Sequence, residues 1–344
     1  MTKGLSRRQF ATIAGAAMLA APHVARGQAA LARVRFTMDW AFQGPSSYAL
    51  LGREKGFFRE AGIDIQLSRG FGSGRVPVDI AAGAYDMGQG DINPTLKFMA
   101  DNPDRGLVVV AIAADRGAIC ATVRGDGPIN SPRDLEGKTL AAPEFDAGRQ
   151  IFPAFARAAG IDARRITWMS VQPELREPML VQRRADGITG ILMSTALSLK
   201  ALGMDWPAQR IMLYRDFGLD LYATCYITTQ DYLRRQPDAV RGTLRGLFRS
   251  IVHTQRNPAE AIEILKRVEP LTDVAIETER QRVASEYTVV TDNVRRNGLS
   301  SVDPARLQLG IRAIEEAYGL TARLRPEDVY TDAYLPPRAE RMLS

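Results

Sequence analysis

The chain has 344 residues, a formal charge of +6, 45% hydrophobic residues, two cysteines and two histidines. Four of its cations, Lys3, Arg7, Arg8 and Arg26, fall in residues 1–29 with no acid among them, so the remaining 315 residues carry only +2. That balance argues against a nucleic-acid or membrane-surface partner, and 315 residues leave room for two domains.

Ser6-Arg7-Arg8-Gln9-Phe10 stands directly before the apolar run Ala11 to Ala21. A twin arginine ahead of a short Ala-rich stretch reads as an export signal of the twin-arginine type. The run is shorter than the ~20 apolar residues a membrane span needs, so it is expected to be an address and not an anchor. Gly27-Gln28-Ala29 suits a signal peptidase and puts the mature start near Ala30. No cysteine follows the signal, so a protein free in the periplasm is expected. Charges interrupt every later apolar stretch.

Val34 to Met38 alternates as a first strand. Ser46 to Glu60 reads as a helix, with Tyr48, Leu51, Lys55 and Phe58 on one face and Gly62 ending it. Ile63 to Leu67 is a second strand. Gly70 to Gly74 is a glycine-rich turn and Val76 to Ala82 a short helix. Tyr85 to Gly88 is a third strand, and Asn93-Pro94 opens the next helix. Leu107 to Ala113 is continuously apolar, the mark of a strand covered on both faces.

The alternation then restarts. Lys138 to Ala142, Ile166 to Val171, Gly187 to Leu192 and Arg210 to Tyr214 read as strands. Helices are predicted over Gly148 to Ala159, Glu174 to Arg183 and Ser194 to Leu202. From Gln230 the chain is nearly all helical, with Val240, Leu244, Leu247, Phe248, Ile251 and Val252 forming one apolar stripe. The pattern predicts an α/β protein of two doubly wound, mainly parallel sheets. With no flexible linker in sight, the units are expected to be joined by two hinge strands, Ile119 to Arg124 and Tyr222 to Thr228. Lobe 1 would then comprise 30–121 plus 225–335, and lobe 2 residues 122–224.

Cys120 and Cys225 sit one in each predicted crossing, either as a disulfide or, the favoured reading, as two small buried residues. His23 leaves with the signal. His253 alone builds neither a zinc site nor a Ser-His-Asp triad. No P-loop, dinucleotide fingerprint or CxxC is present, and no cofactor is expected.

Ligands of open α/β sheets bind beyond the carboxyl ends of the strands. Those loops supply Asp39, Trp40, Gln43 and Ser46 after strand one, Ser73, Gly74 and Arg75 after strand two, and Gln89 and Asp91 after strand three. Asp115 follows strand four. The second unit supplies Glu144, Asp146, Arg149 and Ser194, and the return crossing Asp220. Trp40 either stacks a flat ring or packs in the core. Ser73 either caps a helix or donates to a ligand. Arg75 and Arg149 either clamp an anion bidentately or lie on the surface. Asp39, Asp91, Glu144 and Asp146 either accept from ring amines or hold turns.

The order of several segments carries a resemblance. Lys55-Gly56-Phe57-Phe58-Arg59-Glu60-Ala61-Gly62-Ile63-Asp64-Ile65, Gly72-Ser73-Gly74, Ile80 to Gly88, Asp134 to Leu140 and Gln236 to Val240 together resemble solute-binding proteins of ABC importers. The branch in question binds thiamine-pyrimidine precursors, sulfonates, taurine or nitrate, and the similarity runs over most of 33–335. It implies a two-lobed periplasmic binding protein fold of type II, likewise joined by two strands, that closes on a small solute and is recognised by a permease with its ATPase. Asp39-Trp40 is similar to the pyrimidine binders, whereas Phe42-Gln43-Gly44-Pro45 departs from them. The same family includes a pyrimidine-synthesising enzyme with a cysteine-rich iron motif and an active-site histidine, neither of which this chain has. A non-enzymatic monomer is therefore expected, holding a small planar or anionic solute and meeting the twin-arginine translocase during export. The alternatives are an exported enzyme pairing Asp39 with Glu144 or Asp146 as acid and base, and a ligand sensor for a signalling receptor.

Overall fold

The computed structural model describes Met1 and residues 30–321 and 323–343; the twin-arginine segment and the apolar run after it lie outside the described residues. Apolar runs in residues 32–229 build two five-stranded sheets. The first contains β1 (Ala32–Thr37), β2 (Ile63–Ser68), β3 (Met87–Asp91), β4 (Leu107–Ile112) and β10 (Thr224–Thr229), in the order β2-β1-β3-β10-β4. The second contains β5 (Ile119–Arg124), β6 (Thr139–Ala142), β7 (Thr167–Ser170), β8 (Gly187–Ile191) and β9 (Gln209–Leu213), in the order β7-β6-β8-β5-β9.

The two orders match position for position. β1 runs parallel to β2 and β3, and β6 parallel to β7 and β8. In each sheet the fourth strand is antiparallel to both neighbours: β10 in the first, β5 in the second. These two strands are the ones by which the chain enters a sheet from the other unit. The sheets are therefore mixed, with four strands running one way and one the other.

Burial explains the patterns. β4, apolar throughout, has all six residues buried, as expected for a strand packed on both faces. The stripe Val240, Leu244, Leu247, Phe248 and Ile251 on the helix Pro237–Arg256 closes one face of the first sheet. The helix Ser47–Glu54 crosses it closely, because a Cβ on Gly52 would meet the Ser250 hydroxyl at 1.8 Å.

Several boundaries differ from expectation. The helix expected over Ser46 to Glu60 breaks at Gly56, whose φ of 78° a side chain would resist. β3 begins at Met87 and runs to Asp91, so Gly88-Gln89-Gly90-Asp91 is strand and not loop. Asp91, not Asn93, caps the helix Ile92–Asp101, its carboxylate accepting from the Asn93 N–H. The hinge also lies elsewhere. Ile119–Arg124 belongs wholly to the second sheet and Thr224–Thr229 to the first. The chain crosses at 113–118 and 218–223, held side by side by bonds from Gly117 N–H to Leu221 C=O (2.9 Å) and from Ala223 N–H to Ala114 C=O (3.2 Å). Cys120 and Cys225 are free, buried thiols in separate sheets, opposite Gly190 and Gly90. Among the described residues no helix is long and apolar enough to cross a membrane.

Candidate functional site

Between the sheets lies a cavity of about 140 Å³, close to the ~150 Å³ space that admits a benzene ring. Its first wall comes from the carboxyl ends of β1 and β3. Asp39 is buried and accepts from the Ser73 hydroxyl (2.9 Å) and the Gln89 amide (2.8 Å). The Gln89 carbonyl in turn accepts from Tyr48, whose hydroxyl lies 2.8 Å from that of Tyr226. Burial drives both phenols up, so they stay neutral. Burial also raises the Asp39 carboxyl against the opposing bonds from Gln89 and Ser73. Asp91, 2% exposed, is pushed up to about 7 by burial, with Asp39 and Asp146 adding repulsion and Asn93 opposing it.

The second wall is built around Arg176, 2% exposed at the start of the helix Arg176–Val181. Its guanidinium donates to Asp146 (3.1 Å) and twice to Glu177 (2.6 and 3.0 Å) and lies 4.8 Å from the Trp40 ring centre. Burial opposes the charge, but Glu177 and Asp146 outweigh it and hold the Arg176 pKa above its usual range. Gly190 on β8 makes room: a Cβ there would sit 2.7 Å from the guanidinium. Asp146 also accepts from Thr189 (2.8 Å) and from the Arg149 N–H (3.0 Å). Both of its oxygens are thus engaged, which leaves it poorly placed as an acid or base.

The third wall comes from the helices Pro237–Arg256 and Val274–Ala284 and the π-helical turn Ser285–Val289, through Ile251, Thr254, Gln255, Gln281, Ser285 and Thr288. π-Turns recur at functional sites. Arg280 and Glu277 fasten this wall to both units. Arg280 donates to the Met193 and Ser194 carbonyls (2.7 and 2.8 Å), and Glu277 accepts from the Gly44 N–H at 2.6 Å.

The units touch across the cavity mouth. Gly74 N–H donates to Phe145 C=O (3.0 Å), Ser194 donates to the Gln43 side chain (2.9 Å), and Arg69 pairs with Glu174 (3.0 Å). Gly72, at φ 133°, comes so close that a Cβ would lie 2.4 Å from the Phe145 carbonyl oxygen.

Of the residues singled out from sequence, Asp39, Trp40, Gln43, Ser46, Ser73, Gln89, Asp91, Asp146 and Ser194 line this cavity. Gly74 sits at its rim. The others point elsewhere. Arg75 turns outward to Asp79 (2.7 Å), and Arg149 reaches the Ala142 carbonyl and Ser170. Glu144 is exposed and does not line the cavity with Asp39. Asp115 accepts from Thr291 (2.5 Å) and Asn293 (2.8 Å) behind the hinge, where Arg306 draws in Asp220. Arg75, Arg149, Asp115 and Asp220 have closer partners than the cavity. Arg176, Tyr48 and the whole helical wall were missed.

Two sheets of one strand order, closed over a mostly apolar cavity with a few buried polar groups, define the periplasmic binding protein fold. The alkanesulfonate-binding protein SsuA from Xanthomonas axonopodis pv. citri shares it, with a TM-score of 0.67 at 16% identity over 87% of this chain and 98% of that one. The chain belongs to the NMT1/THI5 like family, whose model matches residues 46–261. It is 24% identical over 243 residues to the formylaminopyrimidine-binding protein of Halalkalibacterium halodurans, covering 69% of this chain and 70% of that protein. It is also 23% identical over 240 residues to the 4-amino-5-hydroxymethyl-2-methylpyrimidine phosphate synthase of Legionella pneumophila, covering 69% and 74%.

Proposed function

We propose that this chain is the solute-binding component of an ABC importer, exported by the twin-arginine translocase and working in the periplasm. The lobe bounds expected at 121/122 and 224/225 move to the crossings, so that residues 30–118 with 224–335 form one lobe and 119–223 the other, and they close over a single-ring solute that carries amino groups. One observation carries the choice of solute. Buried Asp39 and Asp91 face the cavity, while Arg176, its one lining cation among the described residues, is already held by Asp146 and Glu177. An anion would meet carboxylates without a spare cation, and like-charge contact costs several kcal/mol. A ring amine would donate to them. Arg176 covers one face of Trp40, so stacking of the ring falls to the other. The formylaminopyrimidine-binding relative supports an aminated ring, and the fit of the cavity to one ring agrees.

Calorimetry on residues 30–344 tests this. 4-Amino-5-hydroxymethyl-2-methylpyrimidine should bind saturably and be recovered unchanged, while nitrate and methanesulfonate should give no heat. Binding of the anions alone would overturn the choice of solute. Conversion of the pyrimidine would make the protein an enzyme and overturn the binding role.

Closure has its own test. Gly72→Ala places a methyl against the Phe145 carbonyl, so the liganded state should be propped open. Affinity should fall at least ~10-fold, about 1.4 kcal/mol, and the radius of gyration should no longer contract on adding solute. Unaltered contraction would show that the lobes do not close through this contact.

A further inference from the structure

The cavity is short of positive charge. Asp39, Asp91 and Asp146 line it, against the single guanidinium of Arg176. That guanidinium is engaged by Asp146 (3.1 Å) and by Glu177 (2.6 Å). Arg280, behind the lining, is matched by Glu277 at 3.0 Å. Asp39 and Asp91 are left with neutral partners. Ser73 and Gln89 donate to Asp39, and Asn93 donates to Asp91 through its N–H (2.9 Å) and its side-chain amide (2.8 Å).

Asp91 is the more telling of the two. It is 2% exposed, and both bonds from Asn93 end on Oδ1. Oδ2 has no donor among the described residues, yet it is not sealed. The side-chain oxygens that lack both a partner and accessible surface belong to Gln209, Thr243, Thr254 and Gln281. Asp91 lines the cavity, so its open oxygen is turned toward the solute space.

Nothing else around the two carboxyls compensates them. The phenols of Tyr48 and Tyr226 and the thiol of Cys225 are raised by burial and stay neutral. The helical wall adds no ionisable side chain to the lining. A buried carboxylate without a counter-charge is costly, and burial accordingly raises both Asp39 and Asp91. A positive charge in the cavity would remove that cost.

We propose that the preferred solute is a cation at neutral pH, an aminated aromatic ring of the aminopyridinium or amidinium kind, with its charge answered by Asp39 and Asp91. The face of Trp40 that Arg176 leaves free suits such a ring, since an indole attracts cations. The aminated-ring reading above supplies the ring and its amino group, whereas the charge follows from the cavity itself. On this view 4-amino-5-hydroxymethyl-2-methylpyrimidine, a weak base, binds less tightly than a charged analogue. On binding the cation, Asp91 gives up its proton to solvent.

The test compares 4-aminopyridine, protonated at neutral pH, with aniline, which has the same size and amino group but no charge. By calorimetry on residues 30–344 at pH 7, 4-aminopyridine should bind tighter by at least ~10-fold, the scale of one hydrogen bond to a charged group. At pH 6, below the value of about 7 at which burial holds Asp91, binding should release roughly one proton. The release is read from the difference in heat between phosphate and Tris buffers, and it should fade by pH 8.5. Asp91→Asn, which keeps the bond from Asn93 N–H, should lose most of the release and cut the preference at least ~3-fold. Equal affinity for the two rings, or no proton release at pH 6, overturns the proposal. 1-Methylpyridinium, a ring cation without an amino group, separates this proposal from the reading beneath it. If it binds as tightly as 4-aminopyridine, the charge stands and the amino group is what fails. If aniline binds and it does not, the amino group stands and the charge fails. If none of the three binds, both are lost.

Discussion

Arg176→Met is expected to cost the fold about 3–5 kcal/mol, the usual penalty for removing one partner of a buried ion pair. The side chain is 2% exposed and is the shared donor to Asp146 and Glu177. Methionine fills similar volume but strands two carboxylates in a dry wall. The loss should appear as a lower urea midpoint at pH 7. Much of it should return in Arg176→Met combined with Glu177→Leu, because the cost lies in the stranded charge and not in missing packing. A single variant as stable as the wild type would show that water reaches these carboxylates. The same substitution removes the guanidinium that braces Trp40 from behind, so the stacking face loses its support and solute affinity should fall along with stability.

Arg176 also shows where sequence reading stops. The periodic parts of the chain were legible: β1, β2 and β4 and the stripe on Pro237–Arg256 follow from alternation and continuous burial. β3 starts two residues and ends three residues later than expected because Gly88 and Gly90 carry no side chain to mark an inward or outward face. For the site, the rule that ligands meet strand ends yields Asp39, Trp40, Gln89 and Asp91, although the last two lie within β3 and not in the loop after it. Arg176 is one of many arginines and starts a helix, with nothing local to say that Gly190 leaves a hole for it. The helix Val274–Ala284 carries Glu277, Thr278, Glu279, Arg280, Gln281 and Arg282 in one run, yet Glu277, Arg280 and Gln281 are buried in it. Only the packing of two distant units makes those polar residues interior, and that information is not local. Arg75 and Arg149 failed for the converse reason: Asp79 stands one helical turn from Arg75, and Ser170 stands on β7 beside the β6 carbonyl that Arg149 also bonds.

Asp91→Asn should reshape the pH dependence of stability more than any other single change in the cavity. In the folded protein burial holds this carboxyl at about 7, against an ordinary value near 4. Below the ordinary value both folded and unfolded chains carry the proton, and Asp91 costs nothing. As pH rises from about 4 to about 7 the unfolded chain releases its proton while the folded chain retains it, so the folded state is progressively disfavoured. Above about 7 the full cost is present, roughly 4 kcal/mol for about three units at 1.36 kcal/mol each. Asparagine keeps the cap on Ile92–Asp101, since its carbonyl accepts from the Asn93 N–H as the carboxylate does, but it cannot ionise. Urea midpoints of the two proteins should therefore nearly coincide at pH 4.5 and diverge by pH 8, with the variant more stable. Parallel profiles would show that Asp91 is not held protonated by its surroundings. Solute binding should move in the opposite sense. A ring amine donates best to the carboxylate, so wild-type affinity should climb with pH up to about 7 and then level. In Asp91→Asn that climb should shrink, leaving what Asp39, also raised by burial, contributes. The group that weakens the empty protein near neutrality is thus the one that strengthens its hold on an amine, because the solute supplies the hydrogen-bond donor that burial withholds.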